Sequence, residues 1–220
     1  MSLTQSILDK RIIAILRGLT ADEAIKVAEA LSAGGISLIE VTFPQQEGAD
    51  LTQTVKAIEG IRARFGQAVL AGAGTVMNTQ QLALAVQAGA QYIISPNVDE
   101  AVIRETRSRG LISMPGALTP TEAVAAHNYG ANFVKIFPAG NLGPDYIKAL
   151  RGPLSHIRFL AVGGVGVANA GDFIRAGAVG LGVGGKLADR ALIQAGRLDE
   201  ITALAQQYTA AVAQAAQQAK

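Results

Sequence analysis

The chain has 220 residues, half of them apolar and 16% charged, with 19 Lys+Arg against 17 Asp+Glu for a formal net charge of +2. That balance excludes a disordered chain, and the length suits one large core. With no Cys there is no disulfide framework, thiolate zinc site or Cys nucleophile, and the only two His, His127 and His156, are too few for a three-His metal site, although a carboxylate-held magnesium stays open.

The opening MSLTQSILDKR has no long apolar region and reads as a short extra helix over 3–10 rather than a signal peptide. No apolar run reaches the ~18 residues of a membrane span, so the expectation is a soluble cytoplasmic protein. Short β-like apolar stretches follow at 12–16, 38–43, 68–71, 92–94, 111–114, 133–138, 158–162 and 179–183. Each precedes a stretch with apolar residues at helical spacing. Thr20, Asn78 or Thr79, Asp99 and Thr119 stand where helix N-caps belong, and Gly34, Gly89, Gly130 and Gly177 fit the left-handed position past a helix end. The basic stretch Arg104, Arg107 and Arg109 is interrupted by Glu105 and reads as a solvated helix face, not a nucleic-acid site. Residues 198–220, rich in Ala and Gln, carry Ile201, Leu204, Tyr208 and Val212 at helical spacing and read as the last helix.

Eight strand–helix units with no break between two halves favour a closed (β/α)8 TIM barrel over an open doubly wound sheet. The whole of 1–220 reads as a single barrel domain.

In a barrel, alternate side chains point inward, and a charge there is costly unless paired or used. Lys135 is set in Phe133-Val134-Lys135-Ile136-Phe137. Desolvation lowers a lysine's pKa and makes it a nucleophile able to form a Schiff base. A lysine snorkelling at a strand edge, or paired with Glu, explains that strand equally well. Glu40 shares a face with Leu38 and Thr42, while Ile39, Val41 and Phe43 share the other. Near Lys135 it could move protons on and off a carbinolamine; a structural Lys–Glu pair is the alternative. Arg17 ends the first strand on the face of Ile13 and Ile15, at the end where barrel sites lie, and suits a substrate carboxylate or a plain rim contact. Thr75 closes Gly72-Ala73-Gly74-Thr75, either beside a bound group or in a tight turn. Gly163-Gly164 and Gly182-Val183-Gly184-Gly185 end the last two strands, where barrels often hold phosphate on backbone N–H groups. The G-x-G-x-x-G at 180–185 lies in the last strand, the wrong place for a dinucleotide site. Leu187 stands where a P-loop needs Ser or Thr, so both motifs are rejected.

Ile15-Leu16-Arg17, Leu38-Ile39-Glu40-Val41-Thr42, Gly72-Ala73-Gly74-Thr75-Val76, Ile94-Ser95-Pro96, Pro115-Gly116, Val134-Lys135-Ile136-Phe137-Pro138 and Val162-Gly163-Gly164-Val165 occur in order. In these motifs the chain resembles the KDPG/KHG aldolases, which cleave 2-keto-3-deoxy-6-phosphogluconate or 4-hydroxy-2-oxoglutarate. The likeness covers all but the last ~20 residues. It implies a class I aldolase on a (β/α)8 barrel, usually a homotrimer, needing no metal or organic cofactor. Lys135 would form the Schiff base and Glu40 act as general acid/base. Arg17 and Thr75 would hold the pyruvate carboxylate. Pro96 and Phe137 would line the pocket, and Gly163, Gly164 and Gly184 would receive the phosphate. The expected reaction yields pyruvate and glyceraldehyde 3-phosphate.

Two departures stand out. Pro44 occupies the position four after Glu40 where many members carry Arg, so Arg17 must serve. Val162 and Gly185 replace two hydroxyl residues at the phosphate end, with Lys186 as a compensating cation. The Ala161–Val165 stretch and 142–148 look like the 2-dehydro-3-deoxy-6-phosphogalactonate aldolase branch, the nearest rival substrate. A non-covalent sugar-phosphate isomerase and a non-catalytic sugar-acid binder are the rival classes.

Overall fold

Strands with two apolar faces and helices with one apolar stripe leave two surfaces to bury, one inside a closed sheet and one between sheet and helices. The computed structural model of the protein, which describes residues 2–218, buries both. In chain order the elements are α1 (Leu3–Lys10), β1 (Ile12–Leu16), α2 (Ala21–Ala33), β2 (Leu38–Thr42), α3 (Thr52–Phe65), β3 (Leu70–Gly74), α4 (Thr79–Gln87), β4 (Tyr92–Ile94), α5 (Glu100–Ser108), β5 (Ile112–Met114), β6 (Gly116–Ala117), α6 (Pro120–Asn128), β7 (Val134–Ile136), α7 (Ala139–Leu142), α8 (Pro144–Arg151), β8 (Phe159–Val162), α9 (Val167–Arg175), β9 (Gly180–Val183), α10 (Arg190–Gln194) and α11 (Leu198–Gln218).

All strands run parallel, in the order β5-β4-β3-β2-β1-β9-β8-β7-β6. β5 and β6 are two halves of one stave, separated by Pro115, which has no N–H to offer a ladder. β7 bonds across that break: Lys135 N–H donates to Pro115 O (2.8 Å) and Phe133 N–H to Ser113 O (3.3 Å). The result is a (β/α)8 barrel of eight staves.

Ile13, Ile15, Leu38, Leu70, Tyr92, Ile94, Ile112, Met114, Phe133, Leu160 and Val162 fill the interior, and Ile7 of α1 plugs the N-terminal end. The alternate residues, such as Ile12, Ala14, Ile39, Val41, Val134 and Ile136, pack outward against the helices. This alternation places Glu40 and Lys135 on inward positions, as the sequence pattern predicts. Thr20, Asn78, Asp99 and Thr119 each accept a helix N-terminal N–H and act as N-caps. Arg104 and Arg109 pair with Glu100 and Glu105 on the exposed face of α5.

The third strand runs over Leu70–Gly74 and not over 68–71. Its Gly residues look like a turn in sequence, yet each leaves room for a large inward neighbour. A Cβ on Gly72 would overlap the ring of Tyr92, and one on Gly74 would overlap the Glu40 carboxylate. Gly34 is not left-handed: its φ is −84° and the left-handed residue is Gly35, at 91°. Gly34 instead admits α11, since a Cβ there would lie 2.5 Å from Ala205 Cβ and 2.7 Å from Thr202 O. Gly89, Gly130 and Gly177 do have positive φ. The last helix extends to at least Gln218; the final two residues of the expected range lie outside the described residues.

Candidate active site

Every strand-end residue singled out for chemistry stands just past the C-terminal end of its strand, and the two ionisable groups stand at mid-strand. Lys135 is the middle residue of β7, and Glu40 is the third of five in β2. Arg17, Thr75, Phe137, Gly163 and Gly184 each follow the last residue of their strand, and Pro96 stands two beyond β4. A parallel barrel therefore gathers groups from seven staves at one mouth.

Lys135 is 6% exposed and Glu40 2% exposed. Neither joins a salt bridge among the described residues. Burial pulls the Lys135 amine below the usual lysine range; the Glu40 charge opposes this and the Arg17 charge adds to it. Burial likewise pushes the Glu40 carboxyl up, against the smaller pulls of Lys135 and Arg17. Desolvation outweighs attraction for both groups, and the two are not in salt-bridge contact as a tight structural ion pair would be.

The walls follow from close backbone approaches. Lys135 registers beside Gly116 on β6, and Gly116 lies against the Pro96 backbone, 2.5 Å from where its Cβ would meet Pro96 C. Lys135 Nζ lies 4.8 Å from the centroid of the Phe137 ring, a ring that is 40% exposed at the mouth. The same ring lies against Gly163, whose Cβ would lie 3.1 Å from its Cδ2 and Cε2. Gly163 and Gly164 have φ of 85° and 75°, and Gly140 N–H donates to Gly163 O at 2.7 Å, pinning the loop after β8 to the start of α7. Gly184 adjoins Ile15 on the neighbouring stave, with a Cβ distance of 3.8 Å. Lys186 is exposed, with its Nζ 3.7 Å from the Cβ position of Gly166 at the start of α9.

Arg17 differs from the rest. It is exposed and helps line a cavity of about 420 Å³ between the β1–α2 and β2–α3 loops, together with Thr42, Phe43 and Gln45. Lys135 and Glu40 are not in that lining. Its charge nonetheless reaches both of them.

Sequence reasoning missed three groups here. Thr42, which the strand alternation puts on the Glu40 face without a role, is 4% exposed there. Tyr92 is an inward ring whose hydroxyl donates to Leu70 O at 3.2 Å; burial, reinforced by Glu40, pushes its phenol well above the usual range, so it stays neutral. Gly74 sets the Glu40 carboxylate, since a Cβ there would overlap Oε1 and lie 2.5 Å from Cδ. Gly74→Ala is expected to displace the carboxylate and cut kcat about 10–100-fold, while borohydride still traps pyruvate on the enzyme. Unchanged kcat would show that the carboxylate position does not matter.

The family model for KDPG and KHG aldolase matches residues 3–204. The chain belongs to the KDPG and KHG aldolase family. It is thus an aldolase, a carbon–carbon lyase. It is 40% identical over 179 residues to the 2-dehydro-3-deoxy-6-phosphogalactonate aldolase of Escherichia coli K12, covering 80% of this chain and 83% of the relative. Identity to the KHG/KDPG aldolase of the same organism is 36% over 188 residues, covering 84% of each. The KDPG aldolase of Legionella pneumophila, solved with pyruvate captured at low pH as a covalent carbinolamine intermediate, superposes with a TM-score of 0.82. It is 26% identical, over 93% of this chain and 97% of that one.

Proposed function

We propose that this family member is a Schiff-base enzyme that cleaves a 2-keto-3-deoxy-6-phospho sugar acid to pyruvate and glyceraldehyde 3-phosphate. The observation that carries the reading is a buried lysine, with its amine pulled toward neutrality, facing a buried carboxyl in one barrel mouth. The carbinolamine trapped in the Legionella relative supports the covalent step.

Neutral Lys135 Nζ adds to the C2 ketone, and the carbinolamine loses one water to give an iminium. Glu40, as carboxylate, takes the C4 hydroxyl proton, directly or through a water. The C3–C4 bonding pair moves into the iminium, leaving an enamine, and the aldehyde departs. A proton returns to C3, and one water hydrolyses the new iminium, releasing pyruvate and the free amine. The iminium is the electron sink. Thr75 and Arg17 hold the carboxylate, Pro96 and Phe137 wall the pocket, and the N–H groups around Gly163, Gly164 and Gly184 take the phosphate.

The gluconate-series substrate is the one that the resemblance to the KDPG/KHG aldolases implies, while the Ala161–Val165 and 142–148 stretches look like the galactonate branch. The galactonate-series epimer has the support of the 40% identical relative. Both give the same products, so turnover of the two C4 epimers, with 4-hydroxy-2-oxoglutarate as a third substrate, decides among them. A chain that turns over none of the three would refute the reading.

Lys186 is assigned to the phosphate in place of the hydroxyls lost at Val162 and Gly185. Lys186→Ala is expected to raise KM for the phosphorylated substrate about tenfold and to leave 4-hydroxy-2-oxoglutarate unaffected. Equal changes for both would remove Lys186 from the phosphate site. A homotrimer in the cytoplasm completes the proposal; light scattering of the purified chain tests the trimer and cell fractionation the location.

A further inference from the structure

Thr75 is a β-branched residue with φ of 54°, one of two non-Gly residues with positive φ among the described residues. Such a conformation is strained for a β-branched residue and persists only where its surroundings impose it. Two glutamine side chains supply that constraint. Gln81, 6% exposed on α4, accepts the Met77 N–H on its Oε1 at 2.7 Å. A backbone N–H can only donate, so this bond fixes which way the Gln81 amide faces. Its Nε2 then donates to Gln45 Oε1 at 3.4 Å. Gln45 Nε2 is thereby turned to two carbonyls, Thr75 O at 2.8 Å and Phe43 O at 3.2 Å.

The backbone on either side is tied as well. Gly74 O accepts from Phe43 N–H at 2.9 Å, and Val76 N–H donates to Ile94 O at 3.2 Å. Val76 O accepts the Ser95 hydroxyl at 2.7 Å. In the middle of this bonded segment, the Thr75 N–H and hydroxyl have no acceptor among the described residues. These two donors, on an otherwise bonded backbone, are left without a protein partner and are available to a ligand.

We infer that Gln45 and Gln81 are positioning residues: an amide relay that holds Thr75 in its left-handed conformation so that its two donors meet the substrate carboxylate. The inference rests on the reading of Thr75 as a carboxylate contact. Gln45 is exposed and lies outside the hydrophobic core, so a change there is read in binding more than in folding.

The test is a cycle of four proteins, wild type, Gln45→Ala, Thr75→Gly and the double variant, with Gln81→Glu as a fifth. KM and kcat are measured for deuterium exchange into the methyl group of pyruvate, with melting temperatures alongside. Gln45→Ala is expected to raise KM for pyruvate about tenfold with kcat within about twofold and an unchanged melting temperature. Gln81→Glu keeps the acceptor for Met77 but loses the donor to Gln45, and should shift KM in the same direction. Glycine adopts positive φ without help, so in the Thr75→Gly background Gln45→Ala should change KM less than about twofold. A KM unchanged by Gln45→Ala, or an equal increase in both backgrounds, overturns the relay while leaving the carboxylate reading of Thr75 intact. If Thr75→Gly alone leaves KM at the wild-type value, the carboxylate reading fails and the relay with it.

Discussion

Lys135→Met is expected to lower retro-aldol turnover by about four orders of magnitude or more and to abolish borohydride trapping of pyruvate. The side chain is nearly isosteric and sits among Phe133, Phe137 and Leu160, so the barrel should still form. Its melting temperature should rise in buffers where the wild-type amine is charged. The sign follows from the lowered amine pKa. A group depressed on folding contributes stability that is fully present above its unfolded pKa and is lost as pH falls through the folded value. Methionine carries no such penalty at any pH. Peptide mapping of the reduced wild-type adduct should place one pyruvate on Lys135. An adduct elsewhere, or turnover surviving in the methionine variant, would end the covalent mechanism.

Glu40→Gln should cost about 10²–10⁴-fold in kcat, because an amide cannot take the C4 hydroxyl proton. Lys135 remains able to add to pyruvate, so trapping persists in this variant and separates amine from base. The pH profile carries a second signature. In the wild type, kcat/KM falls on the acid side as Lys135 and Glu40 take up protons, with apparent values belonging to the pair. Glu40's charge raises the affinity of Lys135 for its proton. Removing that charge should therefore move the acid limb of pyruvate trapping to lower pH. A limb that stays in place would show that the carboxyl is already neutral in the free enzyme.

Much of this site was legible in the strands. The 133–137 run and the alternation through 38–43 put Lys135 and Glu40 on inward faces before any coordinates, because a strand's period of two leaves no third option. Arg17 carried less information: it stands one residue past the end of β1, and its exposure and its place in the cavity beside β2 depend on how the β1–α2 and β2–α3 loops pack. Gly74 and Tyr92 were unreadable for a related reason. A glycine in a strand looks like a turn until the partner that fills its missing Cβ is known, and for Gly74 that partner is Glu40, 34 residues away on the next stave. Gln45 and Gln81 carried no signal, since two glutamines 36 residues apart have no periodicity to betray a hydrogen bond.

The amino-acid order by itself determined eight strand–helix repeats, the helix caps, and the identity of the two buried ionisable groups. All of these follow from local periodicity and side-chain hydrogen bonding within a few residues. Only the tertiary structure decided that the fifth stave breaks at Pro115, that Gly35 and not Gly34 turns left-handed, and that a pair of amides holds Thr75. The close approach of α11 to Gly34 and the meeting of the two amides at Thr75 both depend on segments distant in sequence, and β7 bonding across the break at Pro115 is a contact between staves.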